Sequence, residues 1–327
     1  MIKIVCDLMG ADKNAKELVS GPIKALNEVD DLEIVICCNE LDIKDTLATL
    51  DYDKSRVTII HCTEEANNND IPTKIIKQKP NSSLVKALTL CKEDDDCKAY
   101  VSCGATGVVL AASIFILGRV AQIRPALACV LMGKKGKVCI CDCGANVDSS
   151  PENIVNFAKM GVSYMKALGI DNPRVRLLSN GAEEKKGPEA IKLAHQLLKD
   201  TNLNFLGNVE GKDALDGTCD VVCADGFSGN VLIKTIEGTA KTLFYDMLKM
   251  AKETNNEQEA KVLQKTVYNL LDKYDYNTKG GAILLGVNKI VLKGHGAGEA
   301  ETFYNMILDA YKLAKEDMIT DLKNRIQ

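Results

Sequence analysis

Short apolar runs rich in β-branched residues alternate with helical stretches along most of this 327-residue chain. Most runs are continuously apolar, which is typical of parallel strands covered by helices on both faces. The alternation predicts an α/β fold with a doubly wound, largely parallel sheet, formed by residues 1–327 as a single domain. Ser150 as an N-cap and Pro151 as the first helical residue predict a helix that ends near Leu168. The predicted strands are IKIVCD, LEIVICC, RVTIIHC, KAYVSC, ALACVLM, KVCICD, VRLLS, NFLGNV, DVVCAD and NKIVLKG.

The segment from about residue 235 to 277 breaks this alternation, because it holds two helical patterns and no strand. Each helix carries one apolar stripe, and the polar sequence KETNNEQE lies between them. A helical hairpin that projects from an α/β body cannot bury both stripes alone. We therefore predict a dimerisation arm that pairs with its copy in a homodimer; packing onto the chain's own sheet is the alternative. The stripes are Leu243, Met247 and Met250, and Leu263, Val267, Leu270 and Leu271.

Composition and charge limit the class of protein. The formal net charge of -4 argues against a general nucleic-acid-binding protein. The cysteines include no CxxC pair, and many lie inside apolar strands as small hydrophobic residues. With the strand IKIV directly after the first Met, the sequence predicts a cytoplasmic protein with reduced thiols. The longest apolar run, residues 108–117, is too short to span a bilayer.

Glycines and small polar residues are concentrated in the loops that follow predicted strands. These loops read GATG (104–107), GANVD (144–148), NVEGKD (208–213), GFSGN (226–230) and GHGAGE (294–299). Open parallel sheets bind ligands beyond the carboxyl ends of their strands, and converging N–H groups and helix N-termini favour anions. We expect these loops to meet at one edge of the sheet and to hold an anion of phosphate size. For each loop taken singly, ordinary turn chemistry is the alternative.

Several common catalytic motifs are missing. No GxGxxG follows a strand, and GxxxxGK[ST], GxSxG and HExxH do not occur. Of the three histidines only His295 lies in a glycine loop, where capping of the backbone explains it as well as catalysis does. Histidines so widely separated do not predict a zinc site.

The loops and their neighbouring elements form an ordered series of motifs: DLMGAD, KPNSSLVKAL, VSCGATGVVLAA, FILGR, RPALA, CGANVDSSPENIVNFAKMG, NFLGNVEGKD, ADGFSGNVLIKT and GGAILLGVNKIVLKGHG. In this series the chain resembles the bacterial phosphate acyltransferases of phospholipid synthesis (the PlsX family, acyl-ACP:phosphate transacylases). The resemblance runs from the first strand to the C-terminal helix.

The resemblance implies the fold of phosphotransacetylases and isopropylmalate dehydrogenases, a homodimer, and the hairpin as its protruding arm. It also implies transfer of a fatty acyl group from acyl carrier protein (ACP) to inorganic phosphate, giving acyl phosphate without a metal or organic cofactor. Phosphate is already charged near neutral pH and the leaving thiol has a pKa near about 8.5, so no Ser–His–Asp triad is needed. The reaction needs a dianion in line with the thioester carbonyl, and donors for the developing oxyanion.

On this basis four residues are the predicted catalytic set. Asn146 and Asn230 would hold phosphate or the oxyanion, Lys234 would neutralise phosphate charge, and His295 would protonate the leaving sulfur. For each of them, a hydrogen bond that only fixes a loop is the alternative. That loop-fixing role is the expectation for Asp7 and Asp12. The predicted substrate- and phosphate-binding residues are Gly104, Thr106, Gly107, Gly144, Asp148, Asn208, Glu210, Gly226 and Gly229.

Docking of the acidic ACP requires positive charge. The candidate docking residues are Lys74, Lys77, Lys79, Arg119 and Arg124. Such charges would steer the encounter, and their effect would weaken with salt. For any one of them taken singly, an ordinary solvated side chain is the favoured alternative. The tip of the arm, KETNNEQEAK, is polar and has no aromatic residue, so the sequence gives little support for a weak peripheral membrane contact.

The chain departs from the family pattern at three places. Ala11 stands where the family usually has a second glycine, Ala105 stands where it has asparagine, and residues 179–188 read SNGAEEKKGP. The missing amide at Ala105 removes two donors and one acceptor from a predicted site loop. Two further hypotheses therefore stay open: a short-chain acyl-CoA phosphotransacylase, and a catalytically weak relative that binds acyl-ACP. A nicotinamide-dependent dehydrogenase ranks last, because the chain lacks the GxGxxG fingerprint of dinucleotide binding after a strand.

Overall fold

The computed structural model describes residues 1–274 and 281–326. Eleven strands in this described part form one sheet. They are β1 (Ile2–Asp7), β2 (Leu32–Cys38), β3 (Val57–His61), β4 (Cys97–Ser102), β5 (Ala126–Gly133), β6 (Gly136–Cys141), β7 (Arg174–Leu178), β8 (Asn204–Val209), β9 (Val221–Cys223), β10 (Ala282–Leu285) and β11 (Ile290–Lys293). The ten predicted strands are confirmed. Strand β10 was not predicted, because four apolar residues are too few to show a period.

The helices of the described part lie between these strands in the chain, except for the last two, which follow β11. They are α1 (Ala15–Leu18), α2 (Ser20–Glu28), α3 (Glu40–Ala48), α4 (Ile75–Gln78), α5 (Ser83–Glu93), α6 (Thr106–Leu117), α7 (Pro151–Ala167), α8 (Glu189–Lys199), α9 (Gly226–Glu253), α10 (Glu257–Tyr274), α11 (Ala300–Lys315) and α12 (Met318–Ile326). Helix α7 begins as predicted: the Ser150 hydroxyl accepts a hydrogen bond from the Asn153 N–H, and Pro151 is the first helical residue.

The strand order divides the sheet into two halves. The order is β3–β2–β1–β4–β11–β10–β5–β6–β9–β7–β8. Neighbours are parallel from β3 to β11 and again from β6 to β8. The three central pairs, β11–β10, β10–β5 and β5–β6, are antiparallel. Three reversals in succession make the second half run opposite to the first, within a sheet that is still largely parallel.

This reversal corrects one expectation. The loops after β4 and β11 leave the sheet at the opposite end from the loops after β6 and β9. The glycine loops therefore do not share one edge, contrary to the sequence-based expectation. The cause lies at the centre of the sheet, where the antiparallel pairing of β10 and of the β5–β6 hairpin reverses the strand direction.

Helices cover both faces of the sheet, as predicted. On β1, Ile4 and Cys6 belong to the core shared with α2, α7 and α11, whereas Val5 belongs to the core shared with α5 and α6. On β10, Leu284 packs in the core under α6 and Ala282 packs against the core under α9. Residues two apart on a strand point to the same face, so α6 and α9 cover one common face.

The predicted arm is a hairpin of α9 and α10. Helix α9 begins in the GFSGN loop and continues without a break to the tip, so the arm is rooted at the sheet. Val267, on α10, is fully buried. Among the described residues from 235 onward, five large apolar side chains of the arm are more than half exposed: Leu243, Tyr245, Met250, Val262 and Tyr268. Residues 275–277 of the predicted arm lie outside the described residues.

Candidate active site

A cleft of about 500 Å³ lies over the central strands, on the face that α6 and α9 cover. Its floor is formed by Leu127 and Cys129 of β5 and Ala282 of β10. The loops after β4 and β11 form one wall, and the loop after β6 together with α9 forms the other. Both halves reach the same cleft because β10 is only four residues long, about 13 Å.

Asp7, at the end of β1, holds the loop after β4 in place. Its carboxylate, which is 2% exposed, accepts hydrogen bonds from the Tyr100 hydroxyl at 2.8 Å and the Ser102 hydroxyl at 3.1 Å. The Ser102 oxygen in turn accepts from the Gly104 N–H at 3.0 Å. Burial raises the pKa of Asp7, and hydrogen-bond donors around it partly oppose that rise. Asp7 thus supports Gly104 from behind, in the loop-fixing role predicted for it.

The N-terminus of α6 opens into the cleft without a side-chain cap. Ala105 is the N-cap residue, with φ -57° and ψ 120°, and it has no side-chain acceptor. Ala105 and Thr106 line the cleft, and Thr106 and Gly107 are exposed. The N–H groups of an uncapped first turn carry partial positive charge that favours an anion. This helix start is therefore suited to binding phosphate.

Asp142, directly after β6, organises the opposite loop. Its fully buried carboxylate accepts from the backbone N–H groups of Leu127, Gly144, Ala145 and Asn146, at distances from 2.7 to 3.1 Å. The Asn146 side-chain amide also donates to it at 2.8 Å, and donates to the Pro125 carbonyl at 2.8 Å. Both amide hydrogens of Asn146 are thus engaged within the loop, which favours the loop-fixing alternative over catalysis.

Two glycines allow the start of α9 to pack directly on this loop. A Cβ added to Gly229 would lie 1.9 Å from the Asp142 carbonyl oxygen, and one added to Gly226 would lie 2.3 Å from the Asn146 carbonyl oxygen. The Gly226 N–H donates to that same Asn146 oxygen at 2.9 Å. Neither glycine lines the cleft. Their contacts indicate that they set the position of α9, where the sequence predicted phosphate binding.

Three side chains near the start of helix α9 face the cleft. Asn230, Ile233 and Lys234 lie at spacings of three and four residues and therefore share one face. Gly144, at φ +141°, brings its loop close to Asn230, since an added Cβ would lie 3.8 Å from the Asn230 side-chain oxygen. Lys234 is 60% exposed and pairs with Glu237 at 2.8 Å. Asn230 is thus the predicted catalytic amide that the structure brings to the cleft.

His295, in the loop after β11, presents one ring nitrogen for chemistry. The Ala297 N–H donates to its Nδ1 at 3.2 Å. Because Nδ1 accepts, the proton of the neutral ring resides on Nε2. His295 lines the cleft and is exposed, so its Nε2–H is free to act as a donor toward a bound group.

Lys293, the last residue of β11, is the cleft residue that the sequence analysis missed. It is 7% exposed and donates a hydrogen bond to the Gly294 carbonyl. Burial lowers the pKa of its ammonium group. The only available signal was a lysine that ends an otherwise apolar strand, IVLK. Asp12, Asn68, Cys103 and Cys143 also line the cleft without having been predicted as site residues.

Of the thirteen predicted site residues, six line the cleft: Gly104, Thr106, Gly144, Asn230, Lys234 and His295. The others lie outside its lining. Asp148 is exposed and its carbonyl accepts from Arg124 at 3.2 Å. Glu210 pairs with Lys212 at 3.2 Å. Asn208 is buried, with its amide donating to the Glu183 carbonyl at 2.9 Å. For these residues too, the contacts favour loop fixing.

The predicted docking cations differ in their surroundings. Lys79 pairs with Asp70 at 2.7 Å and donates to the Glu65 carbonyl at 2.9 Å, so it ties down the preceding loop. Lys74, Lys77, Arg119 and Arg124 are exposed. The first two lie in the same segment as Asn68, which lines the cleft, and Pro72 of that segment lies near Gly107. Positive charge therefore stands close to the start of α6.

A sequence model of the family described as "Fatty acid synthesis protein" matches residues 2–321. The chain belongs to this family. A phosphate acyltransferase of Clostridium perfringens (strain SM101) is 41% identical over 332 residues, covering 99% of this chain and 97% of that protein. One of Clostridium novyi is 38% identical over 329 residues, covering 100% and 99%. One of Halothermothrix orenii is 39% identical over 331 residues, covering 99% and 98%. The resemblance inferred from the motifs is confirmed.

Solved structures share the fold of this family member at low sequence identity. The EutD phosphotransacetylase from Staphylococcus aureus gives a TM-score of 0.62 at 15% identity, covering 96% of this chain and 94% of that chain. A branched-chain phosphotransacylase from Enterococcus faecalis V583 gives 0.59 at 14% identity, covering 96% and 99%. A 4-hydroxythreonine-4-phosphate dehydrogenase from Klebsiella pneumoniae gives 0.53 at 13%, covering 96% and 99%. The predicted fold class is confirmed.

The divergent 179–188 loop lies away from the cleft. The Ser179 N–H donates to the Val209 carbonyl at 2.9 Å, and the Glu183 carbonyl accepts from Asn208. None of these ten residues, all within the described part of the chain, lines the cleft. Of the family departures, Ala105 alone falls in the cleft lining.

No helix among the described residues is long and apolar enough to cross a membrane. Nor does this part of the chain contain a cluster of three or more His, Cys, Asp or Glu side chains that could hold a metal ion.

Proposed function

We propose that this protein transfers a fatty acyl group from the thioester of acyl-ACP to inorganic phosphate, giving acyl phosphate and free ACP. The observation that carries the proposal is the cleft that joins the uncapped start of α6, Asn230 and His295 beside a buried lysine. The full-length similarity to proteins named phosphate acyltransferase supports it.

The reaction needs little acid or base from the protein. A phosphate oxygen attacks the thioester carbonyl carbon, a C–O bond forms, and the C–S bond breaks as the tetrahedral intermediate collapses. The uncapped N–H groups of α6 would hold phosphate, and the Asn230 amide would donate to the oxyanion. The leaving sulfur departs as a thiolate or takes the proton that His295 carries on Nε2.

The exposed cations near the start of α6 give ACP a place to dock. Lys74 and Lys77 carry no ion pair among the described residues, and their segment borders both the cleft and Gly107. An acidic carrier bound there would bring its acyl thioester to the phosphate site. Charge reversal at both lysines should raise the KM for acyl-ACP about tenfold and weaken the salt dependence. Lys192→Glu, on α8 away from the cleft, is the matched control.

A direct assay tests the function. Purified protein is incubated with palmitoyl-ACP with and without phosphate, and thiol release is compared with acyl phosphate trapped as the hydroxamate. We expect both signals, in equal amounts, only when phosphate is present. A short-chain acyl-CoA that outcompetes palmitoyl-ACP would assign the phosphotransacylase alternative. Tight ACP binding without turnover, with turnover restored by Ala105→Asn, would assign the weak relative.

The homodimer predicted from the sequence belongs to the same proposal. The exposed apolar side chains of the arm favour pairing of two copies, because a two-helix hairpin leaves them in water otherwise. Leu243→Lys together with Met250→Lys should convert a dimer to a monomer in sedimentation. An unchanged mass, or a monomeric wild type, would remove this part. Membrane contact and a cytoplasmic location stay predictions.

A further inference from the structure

Lys293 differs from the other lysines near the cleft in its burial. It is 7% exposed, whereas the Lys234 side chain is 60% exposed. Its position at the end of β11, two residues after Val291, places it on the face that α6 covers, and it lines the cleft. The ammonium group is therefore taken out of bulk water and yet lies beside a space large enough for a ligand.

The positive charge of Lys293 has no ion-pair partner among the described residues. No carboxylate in that part of the chain lies within 4 Å of its Nζ atom, and its hydrogen bond goes to the Gly294 carbonyl. Lys234 and Lys79, in contrast, pair with Glu237 and Asp70. A buried ion without a counter-charge costs free energy, and burial accordingly lowers the pKa of Lys293. The fold maintains this cost at one wall of the cleft.

An anion in the cleft would remove the cost. Two of the three ammonium donors of Lys293 are not engaged in a described hydrogen bond. The uncapped start of α6 contributes a second set of donors to the same cleft. Asp12 also lines the cleft and attracts the lysine over a longer distance, but it does not pair with it. A tetrahedral dianion would give Lys293 the direct partner that Asp12 does not.

We propose that Lys293 is the principal counter-ion of the phosphate substrate: its ammonium group binds phosphate oxygens directly while the start of α6 binds others. This inference rests on the proposed function for the identity of the anion. Lys234, exposed and already paired, has a smaller part in phosphate binding. The protein thus uses the charge of its substrate to neutralise a lysine that its own side chains leave without a partner.

Phosphate binding and turnover, measured separately, test the inference. Binding of inorganic phosphate to the full-length protein is followed by calorimetry and by thermal stabilisation, with no acyl-ACP present. Lys293→Met should weaken phosphate binding about 10- to 100-fold. In turnover it should raise the KM for phosphate by a similar factor and leave the KM for acyl-ACP unchanged. Lys293→Arg should recover part of the affinity, and Lys192→Met, which removes a lysine of α8 that does not line the cleft, should change nothing.

Stability distinguishes this role from a structural one. Because Met replaces an unpaired buried charge, phosphate-free Lys293→Met should melt at the same temperature as the wild type or higher. A lower melting temperature with unchanged phosphate affinity would overturn the inference. So would a wild type that binds no phosphate at millimolar concentration. Phosphate binding that depends on Lys293 in a protein without thiol release would support the inference and refute the proposed function; normal turnover with an unchanged phosphate KM in Lys293→Met would do the reverse.

Discussion

The two walls of the cleft each depend on a buried aspartate at the end of a strand or directly after it, but the two aspartates act differently. Asp142 accepts directly from the backbone N–H groups of the loop it supports. Asp7 accepts directly from the Met9 N–H of its own loop, but it supports the loop after β4 through a relay, in which the Ser102 hydroxyl stands between its carboxylate and the Gly104 N–H. A direct support fixes the loop backbone itself, whereas a relayed support tolerates loss of charge at its far end.

The same contrast holds for the helices that begin at each wall. Helix α9 is packed against the Asp142 loop through Gly226 and Gly229 and is capped by Asp225, so its start is closed and its later side chains face the cleft. Helix α6 has an uncapped start that faces the cleft itself. Similar glycine loops therefore have different roles: the glycines at the start of α9 allow close packing, whereas the loop at the start of α6 leaves backbone N–H donors exposed to the cleft.

The close contact between Gly229 of α9 and the loop after β6 predicts the largest effect on stability and activity. Gly229→Ala places a Cβ at 1.9 Å from the Asp142 carbonyl, so α9 must shift and carry Asn230 with it. We expect the free energy of unfolding to fall by about 3 kcal/mol and activity to be lost. Gly238→Ala is the control on the same helix, where an added Cβ meets nothing within 4 Å and should be neutral or stabilising. Equal behaviour of the two variants in denaturant unfolding would contradict the packing role.

Replacement of the direct acceptor should come next. Asp142→Asn exchanges one carboxylate oxygen for a donor and leaves at least one loop N–H unsatisfied. We expect a loss of about 2 kcal/mol in unfolding free energy and a marked fall in activity. Asp7→Asn keeps an acceptor for the relay and leaves one backbone N–H, that of Met9, facing the new amide, so it should cost less. If Asp7→Asn proves the more damaging variant, the distinction between direct and relayed support is wrong.

The raised pKa of Asp7 predicts a pH dependence of stability that is specific to the wall formed by the loops after β4 and β11. Burial raises its pKa in the folded state, so the folded protein binds this proton more tightly than the unfolded chain does. The contribution of Asp7 to stability is therefore full below its ordinary pKa of about 3.9 and declines as pH rises through the raised value. Relative to Asp7→Asn, the wild type should therefore lose stability as the pH rises above 4. Parallel stability curves for the two proteins would argue against it.

The uncapped start of α6 predicts the smallest effect. Ala105→Asn supplies a side-chain acceptor at an N-cap whose backbone already has extended geometry. The free energy of unfolding should rise by about 0.5 kcal/mol, whereas Ala105→Val, which adds no acceptor, should give no gain. Thermal unfolding of both variants is the measurement. A gain from Val as large as that from Asn would mean that capping is not the cause.

The sequence alone predicted much of the fold. Continuous apolar runs such as LEIVICC show a strand buried on both faces, and the Ser150–Pro151 pair shows where α7 begins, because both signals are local. The motif series also identified the family. Prediction failed at β10, whose four residues show no period. Because this one strand was missed, the strands of half the sheet run opposite to the direction that the sequence analysis assumed.

The sequence indicated three of the loops that line the cleft, those after β4, β6 and β11, but only the tertiary structure decided which side chains meet. Asn146 and Asn230 look equivalent in sequence, each following a strand and a glycine. In the fold, Asp142 and Pro125 engage the amide of Asn146, whereas α9 turns Asn230 into the cleft. In the sequence Lys293 is the polar end of a strand, whereas in the fold β10 and β5 place it beside the cleft. Local patterns are encoded within a few residues, whereas burial and charge pairing depend on segments distant in the chain.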